Sequence, residues 1–157
     1  MNRTAQIANH VKTVYFGGNW TSVNLKDVLA DVSWQQATTR VSSLHTIAAL
    51  VFHINYYAEA IIKVLHGGPL DAHDKYSYDL APLCSQEDWE ALLNTFWDNA
   101  ETLAALAEQL PEDKLGETFA GEKYGTWYRN LHGFIEHTHY HLGQIVLIKK
   151  LLPQIPT

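Results

Sequence analysis

A chain of 157 residues is long enough for one domain with a sizeable core, and 46% hydrophobic against 18% charged residues excludes a disordered segment. The net charge of −6 is spread without a Lys/Arg-rich stripe, which argues against a nucleic-acid partner. Cys84 is the single cysteine, so an internal disulfide is ruled out and a reducing cytoplasm is the expected setting.

The opening Met1 to Gln6 has no long apolar stretch behind it and does not read as a signal peptide. A first helix is predicted from Thr4 to Tyr15, ending at Phe16-Gly17-Gly18. After a loop through Asn19-Trp20-Thr21-Ser22-Val23, one short helical stretch is predicted from Leu25 to Gln36. Ser42 or Ser43 is the expected cap of a long second helix from Leu44 to Leu65, stopped by Gly67-Gly68-Pro69. Its apolar run Ile47 to Ile62 is interrupted by His53, Asn55 and Glu59, which argues against a membrane span.

Leu70 to Leu83 lacks periodicity and reads as an irregular connection. Ser85, with Asp88 three residues on, opens a third helix that runs to Gln109 before Pro111. A last helix is predicted from Thr126 to Leu152, before Pro153. No run of period-2 alternation appears. The expected fold is therefore all-α, four main helices in a single domain over residues 1–157.

Nine histidines are many for this length, and helix geometry sorts them. Residues four apart on a helix differ by only about 40° around its axis. In the last helix Phe134, His141, Ile145, Ile148 and Leu152 share one face, with His137 and Gln144 at its edge. His132, Glu136, His139 and Lys150 gather on the opposite face. In the second helix His53 borders the apolar face of Leu50, Ile54, Tyr57, Ile61 and Val64, while His45 lies further round.

A buried imidazole without partners is costly, whereas a neutral imidazole is the commonest transition-metal ligand. His137 and His141 have the i,i+4 spacing of His-x-x-x-His metal sites, and His53 from a facing helix would complete three nitrogens. Three histidines with an open position for water or substrate is a catalytic rather than a structural pattern. Hydrogen-bonded core histidines are the alternative at this point. Solvated or structural roles suit His10, His45, His66, His73, His132 and His139. Gln144 fits either a helix–helix hydrogen bond or a group orienting an imidazole. Asp71, His73 and Asp74 read as a polar loop, and Cys84 as a packed or semi-exposed thiol.

The segment Glu136-His137-Thr138-His139-Tyr140-His141-Leu142-Gly143-Gln144-Ile145 resembles the closing motif of the DinB-like superfamily. The stretch His45 to Ile54 resembles that family's second-helix motif, in which a histidine, here His53, ends an apolar run. The Gly-Gly-Asn-Trp loop and the Leu25–Gln36 stretch are similar to one subgroup. The resemblance implies a four-helix bundle of up-down-down-up topology, with a short extra helix after the first. It also implies a divalent metal, zinc or nickel, bound by His53, His137 and His141. Some members of the family are thiol-dependent transferases, and many have no established reaction.

The expectation is thus a metal-dependent transferase acting on a small-molecule substrate through a low-molecular-weight thiol. A metal-dependent hydrolase is the nearest rival, and a non-enzymatic, metal-stabilised bundle that binds a small molecule or partner comes from a different class. Tyr56, Tyr57 and Trp127 are candidates for lining a substrate pocket, with aromatic core packing as the other account of them. A homodimer is also expected, since Trp20 and Trp34 fall outside the main bundle pattern.

Overall fold

The computed structural model describes residues 2–152, so Met1 and Pro153, the expected stop of the last helix, lie outside the described residues. Six helices follow in order: α1 (Arg3–Phe16), α2 (Leu25–Leu29), α3 (Trp34–Thr38), α4 (Ile47–Leu65), α5 (Gln86–Gln109) and α6 (Trp127–Leu151). Four of them are long and form the bundle. Among the described residues there is no strand, only an isolated bridge between Thr118 and Thr126.

Each long helix starts at a polar cap. Asn2, Thr46, Ser85 and Thr126 accept the backbone N–H groups of Ala5, Ala49, Asp88 and Arg129 and so satisfy donors that a helix start leaves unpaired. The cap of α5 stands where the sequence places it, and Thr126, the expected first residue of the last helix, is its cap. For α4 the expected cap is corrected: Thr46 serves, not Ser42 or Ser43, and the helix begins at Ile47 rather than Leu44. Ser42 instead takes a left-handed turn conformation with φ 51°. The single stretch expected from Leu25 to Gln36 is likewise corrected to two helices. Ser33 and Gln36 form a reciprocal capping box that ends one helical run and starts another.

Side-chain pairs fix how the helices lie. Arg3 reaches Glu112 and Lys12 reaches Glu108, while Tyr15 packs on Phe96, so α1 runs antiparallel to α5. His10 meets His132 near the start of α6, and Lys149 near its end bonds the carbonyl of Val28, just beyond α1; α1 and α6 run the same way. Across α4 and α6, His45 and Leu50 adjoin Gln144 and Leu147, His53 faces His137 and His141, and Ile61 adjoins Phe134. Those two helices are antiparallel.

The core lies between the four, with Tyr15, Ile54, Trp89, Phe96, Leu103 and Ile145 fully buried. By length and composition α4 could cross a membrane, yet 61% of that stretch is buried within the bundle. Its apolarity is that of a central core helix.

The two short helices are locked onto α5. The Trp89 indole N–H donates to the Val32 carbonyl at 2.8 Å, and the Trp34 N–H donates to Gln86 Oε1 at 3.0 Å. Trp34 is half-buried against the core, whereas Trp20 is 100% exposed. Trp89→Phe leaves a buried carbonyl unpaired and a gap beside it. It is expected to cost about 2–4 kcal/mol in denaturant unfolding, against about 1 kcal/mol for loss of the Ser33 cap in Ser33→Ala.

Candidate metal centre

α4 carries His53 and α6 carries His137 and His141, and the antiparallel packing of these helices turns all three rings towards one point. His137 Nε2 lies 3.0 Å from His53 Nε2 and 3.0 Å from His141 Nε2. The three form a group able to hold a metal ion, with ligand atoms all within 4.8 Å of one another. Three nitrogens about 2.0–2.1 Å from a zinc-sized ion lie about 2.9–3.4 Å apart, so the spacing fits.

Hydrogen bonds show why the Nε2 atoms are bare. The Ser77 hydroxyl donates to the Asp74 carbonyl at 2.7 Å, so its oxygen accepts from His53 Nδ1–H at 3.0 Å. Gln144 Oε1 accepts from His141 Nδ1–H at 2.6 Å, and its amide nitrogen donates to Tyr140 Oη at 3.2 Å. Both rings then point lone pairs at His137 Nε2, which can supply at most one proton. At least one lone pair is left without a donor, a deficit that a cation between the rings would remove. The residues fit a metal. Buried Nδ1 of His137 has no hydrogen-bond partner, so this ring alone is held by packing.

Aromatic rings complete the mounting. Tyr78 stacks on His53 at 4.1 Å and on His45 at 4.0 Å, both nearly parallel. Tyr57 stands edge-on to His53 and His137 at 5.2 and 5.1 Å. Burial, followed by neighbouring imidazoles, pushes His53 and His137 down to about 4, and burial also lowers His141. All three rings are therefore neutral at pH 7, the form a metal requires.

The centre opens on a cavity of about 570 Å³ between α4, α6 and the loops beside them. His53, His137 and Tyr57 stand at one end with Asp74, whose carboxylate accepts the Tyr57 hydroxyl at 2.6 Å. Burial and Asp74 push the Tyr57 phenol up to about 12, so it stays protonated. Ile61, Leu70, Phe119 and Phe134 make apolar walls, and Arg129 and Asn130 lie towards the start of α6. Gly133 lines the cavity mid-helix, where alanine would favour the helix by about 0.5–1 kcal/mol. Nothing lies within 4 Å of the Cβ it lacks.

Of the proposed pocket aromatics only Tyr57 lines this cavity. Trp127 is buried edge-on to Phe119 at 4.7 Å, and the Tyr56 hydroxyl is tied to the backbone of His73. Cys84 is exposed at the start of α5 and lines no part of the cavity. His139 and His132 turn towards α1, where His132 meets His10. Ser77 and Tyr78 are what sequence reasoning missed. They sit in the connection Leu70 to Leu83, which carries no periodicity to show that it folds back over α4.

A bundle with a three-histidine group open to an interhelical cavity is the architecture of a metal-binding helical protein. The family model of the DinB superfamily matches residues 19–145, and the chain belongs to that superfamily. No curated protein and no solved structure matches it significantly.

His53→Ala, His137→Ala and His141→Ala are each expected to lower zinc or nickel affinity by orders of magnitude in calorimetry. They should also erase a metal-linked stabilisation of about 2.7 kcal/mol when free metal is 100-fold above the dissociation constant. His132→Ala and His139→Ala should leave both nearly unchanged. Metal should be released as pH falls through the histidine range, because protons compete for the same nitrogens. In metal-free protein burial pushes His53 and His137 down to about 4 from 6.5, so the unfolded chain takes up protons first. Stability of that form should then fall as pH drops from 6.5 towards 4, measured by thermal unfolding.

Proposed function

We propose that the protein is a metal-dependent transferase in which a low-molecular-weight thiol, its proton lost to solvent, bonds through sulfur to an electrophile seated in the apolar cavity while the electrophile's leaving group departs with the broken bond's electron pair. The carrying observation is that three mutually facing bare nitrogens stand at one end of a cavity whose remaining walls are largely apolar. A zinc or nickel ion bound there supplies Lewis acidity, which lowers the pKa of a thiol placed against it.

The chain's own residues do the positioning. Ser77 and Gln144 hold the His53 and His141 imidazoles in one tautomer and orientation, which preserves ligand geometry between turnovers. Ile61, Leu70, Phe119 and Phe134 keep water from the electrophile and so favour sulfur over hydrolysis. The protonated Tyr57 hydroxyl has one proton, now given to Asp74, and by exchanging that bond for one to the substrate it can donate to an oxygen that gains charge there.

Elemental analysis of untagged protein, reconstituted with zinc and with nickel, should find about one ion per chain. A screen of thiols with alkylating and acyl electrophiles should then show thiol consumption that depends on the metal and falls at least 100-fold in His137→Ala. Hydrolysis that proceeds without thiol would replace the transferase with a hydrolase. Tight metal binding without turnover on either would leave a metal-stabilised binding protein.

A homodimer belongs to the same proposal. Trp20 stands 100% exposed on the loop after α1, and Tyr140, Leu147 and Leu151 form an exposed apolar stripe on α6. Light scattering at micromolar concentration should give twice the 17.8 kDa chain mass, and a monomeric mass would reject the dimer.

A further inference from the structure

Arg129, Gly133 and His137 are spaced four residues apart and lie on one stripe of α6, and all three line the cavity. The stripe sets a cation, an open floor and a metal-facing imidazole in sequence, with about 12 Å of helix between the outer Cα atoms. Arg129 is the one Lys or Arg side chain on the wall of the cavity. Among the described residues it makes no ion pair. Its stem crosses Gly125, a residue at φ 75° whose missing Cβ would lie 3.1 Å from Arg129 Cδ. A side chain there would displace the guanidinium from this seat.

The cavity is also polarised. Asp74, held by Tyr57, puts a carboxylate at the histidine end, and Arg129 puts a guanidinium at the other. With no metal ion bound, an anion is repelled from the first and attracted to the second. A single planar fork suits a carboxylate, whereas a phosphate dianion usually gathers several donors. Between the two ends the walls are Ile61, Phe119 and Phe134 over the bare floor of Gly133, room for a ring-sized apolar body.

We infer that this cavity binds a small apolar carboxylate, its anionic end on Arg129 and its uncharged end, which would carry the electrophile, beside His53 and His137. The orientation rests on the transferase reading; the binding itself does not.

The test uses 4-phenylbutyrate and the matched neutral alcohol, 4-phenylbutanol, titrated by calorimetry and NMR into full-length protein, both chelator-treated and zinc-loaded. The acid should bind the chelator-treated protein at least ten-fold more tightly than the alcohol. Arg129→Gln should reduce the acid to the alcohol's affinity, and Arg129→Lys should restore part of the difference. Gly133→Leu should weaken both probes by filling the floor. Gly133→Ala, with its methyl in open space, should raise Tm and so show that the helix tolerates a side chain there.

Equal affinity for acid and alcohol, no binding of either, or a preference for the acid that survives in Arg129→Gln would overturn the inference. If the acid binds only after zinc loading and ignores Arg129, its carboxylate is a metal ligand; the anion site is then lost while the metal centre stands. Arg129-dependent binding in protein that takes up no zinc or nickel would do the reverse, sinking the metal reading and supporting the anion site.

Discussion

Three neutral imidazoles that converge on one point in a protein interior leave a lone pair without a donor, a cost that a cation among them would remove. Two rings already spend their Nδ1 protons on Ser77 and Gln144, so their Nε2 lone pairs converge on a third nitrogen with at most one proton to offer. Much of the structure around α4 and α6 follows from holding this arrangement. The antiparallel packing of these helices sets His53 opposite the i,i+4 pair. Stacking of Tyr78 on His53 fixes a ring plane that one hydrogen bond would leave free to rotate.

The same constraint explains why a connection without regular structure is held in place. Between α4 and α5 the chain makes one short turn at Asp74–Tyr76, whose Asp74 carbonyl takes the Ser77 proton and whose Asp74 carboxylate takes the Tyr57 hydroxyl. Backbone and side chain of one residue thus serve the metal end and the cavity wall together. Buried Ser77 and half-buried Tyr78 anchor the segment from the inside. Exposed links such as His73 with Asp71 at 3.4 Å add little to that anchoring.

How much of this could be read from the residues depended on the range of the interaction. Local signals were legible: Ser85 and Thr126 directly precede strongly periodic runs, and their helices start there. The four-residue spacing put His137 and His141 on one face and turned His139 away. Where several local signals compete, the reading loses definition. Ser42, Ser43 and Thr46 are all acceptable caps within five residues, and only packing decides for Thr46. The Ser33–Gln36 capping box lies inside an apolar pattern that looks continuous, and the pattern hides it. Contacts that cross the chain leave no periodic trace at all. Nothing near Ser77 in the sequence marks His53 as its partner, 24 residues away.

Two features of α6 oppose stability, and both face the same cavity. Gly133 weakens the middle of a long helix, where alanine would meet no obstacle. His137 is half-buried, with its Nδ1 buried and unpaired and its basicity suppressed. Elsewhere the described chain follows local preference closely, with capped helices, apolar residues in the core and most polar groups partnered. When departures from such consistency cluster, they mark the place where something other than folding sets the residue choice. Here the cluster is one stripe of one helix. A ligand in the cavity and a cation at the histidines would satisfy both departures at once, the first by filling the space that Gly133 leaves, the second by taking up lone pairs that no side chain among the described residues binds.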